Sequence, residues 1–286
     1  MLDFRLEVLA AGGLNPNYSN RALRAYKSAW EAYLVAAFAC GLFEGKHGAD
    51  LRARLTGIDD DNFRSALSEC LAAWFLAGRL KLRLEPRPEG QSGHPLEFAI
   101  KLNDGEIKVE VKAPYRPIAS EFWRGDDADL LESALQQANK QFGPGDSNLL
   151  VVVPHLRLPV FDVGDRRPIE RALIGETVIR IPIDTRTGGP AGPDRLVFKE
   201  SGRFAKTWRS GSGDYRTWKP RFTRVGAALF LNDYVDECNG GIEVKHRALV
   251  VHNPYAVVPL PRDLLAGIPE FFCDAGRWRW SDVNDG

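Results

Sequence analysis

"HPLEFAIKLNDGEIKVEVKAP", residues 94–114, decides the fold, because apolar and polar side chains alternate through most of its length around a central Asn-Asp-Gly. Alternation of period two is the mark of a strand with two different faces, and Asp-Gly is a strong signal for a two-residue hairpin loop. With Asp104 and Gly105 as that loop, Asn103 is predicted opposite Glu106, Leu102 opposite Ile107, Ala99 opposite Glu110 and Glu97 opposite Lys112. Leu96, Phe98 and Ile100 then share one face with Ile107, Val109 and Val111. Glu97, Ala99 and Lys101 share the other with Lys108, Glu110 and Lys112. Diagonal neighbours on such a ribbon lie about 7–8 Å apart, so Glu97 and Glu110 can lean together over the small Ala99. Two carboxylates at that separation suit Mg²⁺, which takes one or two carboxylates and keeps several waters. Lys112 beside them can orient a water or meet charge that develops on a phosphate. The plainer alternative is a solvated ribbon face on which Glu97 and Lys112 simply pair.

Outward from the hairpin, both flanks carry helical signals. Residues 20–43 and the run "FRSALSECLAAWFLAGRL" place apolar residues at helical spacing. Asp59 to Asp61 read as the cap and first-turn acids of the second of these helices, and Gly78 as its stop. "LKLRLEPRP" is expected to be a strand ended by prolines. Beyond the hairpin, "DADLLESALQQANKQF" sets Leu131, Ala134, Leu135, Ala138 and Phe142 on one helical face, and "LLVVVP" is a strand buried on both faces. Two more strand-like runs, "RVGAALFLN" and "HRALVVHNPYAVVPLP", follow a looser segment. The order predicts an α/β protein with a mixed sheet. Expected regions are an N-terminal helical region over 1–58, a core over 59–155, a basic and aromatic insertion over 156–224, and C-terminal strands over 225–286 that complete the core sheet.

The whole chain narrows the classes. At 286 residues, 44% hydrophobic and 27% charged, it has the composition of a water-soluble globular protein large enough for a substantial core. Its formal net charge is zero, so a nucleic-acid surface would have to be local. Four cysteines with no C-x-x-C pair fit buried thiols in a reducing cytoplasm. The first ten residues carry an acid and no basic stretch of the kind that begins a signal peptide. The most apolar run, "AWEAYLVAAFACGLF", contains Glu31 and is too short to span a bilayer, so no membrane partner is expected. There is no G-x-x-x-x-G-K-[ST] and no G-x-S-x-G, which removes the phosphate loop and the serine-hydrolase elbow.

"PLEF" followed by "VEVKAP", after a helix bearing Glu69 and before "LLESALQQANKQF", resembles the PD-(D/E)xK, or restriction-endonuclease-like, nuclease superfamily. The likeness covers about residues 61–154. It implies a core of helix, three-strand meander, helix and strand, and a metal-dependent nuclease, expected to be a DNA endonuclease. It implies Mg²⁺, with Mn²⁺ able to substitute, held by Glu97, Glu110 and the Val111 carbonyl, with Glu69 completing the acidic cluster directly or through water. Lys112 would act at the nucleophile and the scissile phosphate. Gln137 and Gln141, neighbours on one flank of the next helix, would support the attacking water or Lys112. Glu97 departs from the pattern, since Asp is commoner there and Leu96 separates it from Pro95. A homodimer is compatible with such an enzyme. Two further readings stay open from sequence: a non-catalytic module of the same fold that binds nucleic acid or a protein, and an unrelated α/β protein with a structural hairpin.

Residues 195–224 hold nine Lys or Arg against two acids, with six interleaved aromatic residues. Cations for phosphates and rings for bases are the components of a nucleic-acid surface. Arg203, Lys206, Trp208, Arg209, Arg216, Trp218, Lys219 and Arg221 are the candidates. The alternative is that the rings anchor a loop while the cations stay in water. His252-Asn253 is expected to be a strand-end turn, because no second His stands at ligand spacing and Pro254 follows.

Overall fold

The computed structural model describes residues 20–88, 90, 93, 95–114, 127–154, 166–193, 195–199, 202–208, 217–238, 241–274 and 277–281. His94, His155, Arg209 and Arg216 lie outside the described residues. Three helices come first: α1 (Asn20–Ala39), α2 (Gly45–Thr56) and α3 (Asp60–Ala73), the last continuing as a π-helical turn over Trp74–Arg79. The expected cap is present, with the Asp59 carboxylate accepting from the Asn62 N–H at 2.9 Å. Next come β1 (Leu84–Pro86), β2 (Phe98–Leu102), β3 (Gly105–Lys112), α4 (Asp127–Gln141) and β4 (Ser147–Val152).

β1, β2 and β3 form an antiparallel meander, and α4 carries the chain across to β4, which runs parallel to β3. The segment after β4 contributes α5 (Arg166–Leu173) and two small ribbons. These are β5 (Glu176–Arg180) with β6 (Arg195–Lys199), and β7 (Ala205–Trp208) with β8 (Thr217–Pro220). The chain then rejoins the main sheet with β9 (Ala227–Cys238), β10 (Gly241–His252), β11 (Glu270–Asp274) and β12 (Arg277–Trp280). The result is one mixed eight-stranded sheet in the order β1-β2-β3-β4-β9-β10-β11-β12, so the class is α/β.

Strand alternation sorts the core into two layers. Phe98, Ile107, Val109, Val111, Leu149, Val151, Leu229 and Val250 face α1, α2 and α3. Leu150, Val152, Ala228, Phe230, Leu249 and Val251 face α4 and α5. β4 contributes to both layers, as its continuous apolar run predicts. Phe204 and Phe222 from the basic segment are buried in the α4 layer, so these two rings anchor the insertion to the core. Among the described residues, no helix is long and apolar enough to cross a membrane.

Two expectations for the hairpin are corrected. Leu102 pairs with Gly105, Ile100 with Ile107 and Phe98 with Val109, so the loop is Asn103-Asp104 and the partners differ by two positions from the prediction. Gly105 itself has φ +146°, a conformation suited to glycine, and it serves as the first strand residue instead of a loop residue. Leu96 packs in the α4 layer, opposite to Phe98 and Ile100, because the chain leaves the strand line at Glu97. Its N–H bonds the Pro88 carbonyl, while the Glu97 carbonyl accepts from Arg87.

Candidate active site

The register moves the two carboxylates closer than the sequence suggests. The ladder ends at the Phe98–Val109 pair, and the residue before it, Glu97, meets the Glu110 side chain directly instead of across a diagonal. Directly opposed residues have Cβ atoms about 4.5–5.5 Å apart. Glu110 is fully buried, and its Oε1 receives the Lys112 ammonium, whose side chain stays 21% exposed. Its Oε2 is buried and no nitrogen donor among the described residues reaches it, while the Glu97 carboxyl hydrogen-bonds to the Glu110 carboxyl. Glu97 uses Oε2 to accept the Val111 N–H at 3.0 Å, taking the place of a strand partner that β2 no longer supplies. The Val111 carbonyl, on the same side of β3, likewise faces a position where β2 has ended. Burial, and then the Glu110 carboxylate, push Glu97 well above the usual carboxylate range, against the smaller pull of Lys112 and the Val111 N–H. Two acids are therefore closed into one place with a single ammonium between them.

Glu69 reaches the other side of Glu97 but is engaged differently. It is buried, and both oxygens are held by arginines: Arg54 Nη1 at 2.7 Å and Arg87 Nη2 at 3.0 Å. Burial and the nearby Glu97 raise its pKa, while Arg54 and Arg87 oppose the shift. Among the described residues, no three His, Cys, Asp or Glu side chains converge as a ready metal cage. The third acid of the cluster is turned onto two guanidiniums. Glu69, Glu97 and Glu110 carry three negative charges, and Arg54, Arg87 and Lys112 carry three positive ones. Arg54 also pairs with Asp50, so Glu69 and Asp50 balance Arg54 and Arg87, whereas Glu97 and Glu110, when both ionised, outnumber the single Lys112 ammonium by one.

The structure does not bring Gln137 or Gln141 to this cluster. Gln137 is exposed. Gln141 ends α4, which leads back to Ser147 at the start of β4, beside Ile107. Lys112 lies at the opposite end of β3, five residues further along, or about 16 Å of strand. A crossover helix begins near the end of one parallel strand and finishes near the start of the next, so it is the first turn of α4 that adjoins Lys112.

The first two turns hold Asp129 and Glu132. Arg203 pairs with both, at 2.7 and 2.8 Å, and Arg221 pairs with Glu132. These two arginines, candidates for phosphate contact, are tethers that root the β7–β8 ribbon at the end of the sheet bearing Lys112. Lys206 is set directly opposite Lys219 in that ribbon, and Trp218 and Trp208 lie opposite Thr207 and Thr217.

Sequence reasoning missed Arg54, Arg87, Asp129 and Glu132. Arg87 carried a signal in hindsight, a cation between Pro86 and Pro88, and it holds φ +56°, unusual for a bulky residue and more so before proline. His252-Asn253 is the expected strand-end turn. Asn253 donates to the Phe222 and Val225 carbonyls and accepts from the Tyr255 N–H, and His252 Nε2 lies 3.1 Å from Glu270.

No protein-family model matches the chain, and no curated protein or solved structure matches it.

Proposed function

We propose that the chain is a metal-dependent nuclease with a restriction-endonuclease-like core that hydrolyses phosphodiester bonds in nucleic acid, with DNA as the substrate. The carrying observation is the buried Glu97–Glu110 pair, two carboxyls in hydrogen-bonding contact with one ammonium beside them. Buried carboxylates persist together only with a shared proton or a cation. Mg²⁺ fits the donor set, since it needs no more than two carboxylates and retains water. Glu97, Glu110 and the Val111 carbonyl would hold it. When bound, the ion supplies an activated water and neutralises charge on the phosphate.

The remaining roles belong to the chain itself. Lys112, partly open to solvent, positions an attacking water and meets negative charge as it grows on the phosphate. Glu69 with Arg54 and Arg87 walls the far side of Glu97 and fixes the segment that carries it. The site lies at the carboxyl ends of parallel β3 and β4, where open α/β sheets place ligands.

The test is cleavage of supercoiled plasmid, linear DNA, single-stranded DNA and RNA by wild type and Lys112→Ala, in Mg²⁺, Mn²⁺ or EDTA. Metal-dependent cutting that disappears in Lys112→Ala is the expected result. Salt-sensitive binding to these polymers with no cutting in any metal would replace the enzyme with a binding module of the same architecture.

A further inference from the structure

A second polar cleft opens on the α1–α3 side of the sheet, away from the acids. It has a volume of about 620 Å³ and is bounded by the π-helical turn, by His246–Leu249 of β10 and by the Ala266–Pro269 segment. Phe75, Leu80 and Ile268 give it an apolar surface. Among the described residues, its charged or ionisable lining consists of Arg79, Arg247 and His246, with no acid. Arg79 is exposed and lies 5.6 Å above the Phe75 ring, and it pairs with no carboxylate among the described residues.

The backbone adds donors. β11 runs parallel to β10 but pairs only with Val250 and Val251. The Val250 N–H bonds the Pro269 carbonyl, so it points to the β11 side. Peptide groups alternate along a strand, which turns the N–H groups of Ala248 and His246 toward that same edge, where β11 has not begun.

His246 is held in place from behind. Its ring lies 4.2 Å from Trp74, and its Nε2 meets the Tyr33 hydroxyl, which is also 3.3 Å from Asp233. Nδ1 has no partner among the described residues. A π-helical segment commonly marks a functional position, and this one presents Arg79 and Phe75 to the cleft.

The geometry points to a second binding site, for a small organic anion whose carboxylate or phosphate is held by Arg79 and the Ala248 N–H and whose apolar body rests on Phe75, Leu80 and Ile268. The volume falls in the range of small-molecule pockets, and a mainly polar lining with an apolar margin suits an anion that carries a small apolar body. The cleft is distinct from the acid cluster. Lys112, Val152, Phe230 and Leu249 occupy one row across four adjacent strands, which separates Leu249 from Lys112 by roughly 14 Å. The proposal does not rest on nuclease activity.

The experiment titrates the full chain with benzoate, phenyl phosphate, inorganic phosphate and, as a neutral control, benzyl alcohol. Binding is read by calorimetry and by amide and imidazole nuclear magnetic resonance. The expected result is saturable binding of benzoate or phenyl phosphate, with shifts centred on His246, Ala248 and Gly267. Inorganic phosphate and benzyl alcohol should bind more weakly than the better of the two. Arg79→Gln, at an exposed position, should fold normally and weaken that binding by about tenfold, the worth of one charge-assisted contact. The preferred aromatic anion distinguishes a carboxylate source from a phosphate source. Absence of saturable shifts at these residues, benzyl alcohol binding as well as the anions, or affinity unchanged in folded Arg79→Gln would each overturn the proposal.

Discussion

Glu69 and the Glu97–Glu110 pair are buried side by side at the same end of the sheet, yet their surroundings are opposite. Glu69 faces two guanidiniums, one of them shared with Asp50, and its charge is fully answered. Glu97 and Glu110 face each other, share one ammonium and are under-compensated. A buried acid whose charge is fully answered from within the chain is part of the architecture. A buried pair left short by one positive charge is held for something from outside, a proton in the resting protein and a cation in the working one. The same side chain thus serves structure in one place and chemistry in the other, and its partners tell the two apart.

The largest effect that can break this distinction is expected at Glu69. Glu69→Gln leaves Arg54 and Arg87 facing one another, 19% and 17% exposed, with no carboxylate between them. Removing one member of a buried ion network costs about 3–5 kcal/mol. Urea unfolding measures it, and replacing all three members with apolar residues of similar size should recover most of the loss. A Glu69→Gln protein as stable as wild type would mean that the arginines are not held by this acid, and the architectural role would pass elsewhere.

A fourth acid, half-buried, sharpens the comparison, because it forms no ion pair among the described residues. Asp233 lies near the Tyr33 hydroxyl, and burial raises its pKa to about 6, while burial and Arg79 hold His246 down to about 4. The signs oppose. Asp233 keeps a proton in the folded state that the unfolded chain gives up, so its contribution is present at low pH and is lost as pH rises through about 6. His246 stays neutral in the folded state, so its contribution is present above its ordinary value and is lost as pH falls through about 4. At about 1.4 kcal/mol per pH unit, Asp233 is worth roughly 3 kcal/mol and the half-buried His246 less, because solvent screens it. The two largely cancel in wild type between pH 4 and 6. Chemical unfolding across that range should show Asp233→Asn gaining stability with pH relative to wild type, and His246→Gln losing it. Parallel pH curves for all three proteins would show that neither group titrates differently on folding.

How much of this was visible beforehand follows from which interactions are local. The β2–β3 alternation placed Glu110 and Lys112 on the correct face even though the turn was misread, because a shift of two residues preserves the side of a strand. The helical period of α4 identified its buried face but not which end meets Lys112, so Gln141 was expected where Asp129 and Glu132 stand. α2 was hidden by its glycines, poor helix formers that packing tolerates; at Gly48 a side chain would collide with the Phe43 backbone. The outer halves of β9 and β10 are too polar to read as strands alone and pair only with each other across the hairpin. Arg54 and Arg87 reach Glu69 from separate segments, and no spacing in the sequence records such a meeting.

The smallest expected effect is the most discriminating. Glu97→Gln replaces the carboxyl that holds a proton in the resting protein by an amide and keeps an oxygen to accept the Val111 N–H. Without metal, its stability at neutral pH should rise by about 1–2 kcal/mol, since folding no longer has to keep a buried acid protonated at that pH while the hydrogen bond remains. Its gain in Tm on adding Mg²⁺ should vanish, whereas wild type should gain, because a ligand that binds only the folded chain stabilises it by mass action. The two readouts move in opposite directions only if the pair is a binding site that carries its own strain. If Glu97→Gln were destabilised instead, as Glu69→Gln is expected to be, Glu97 would belong to the architecture, and the contrast between the two halves of the cluster would collapse into one structural network.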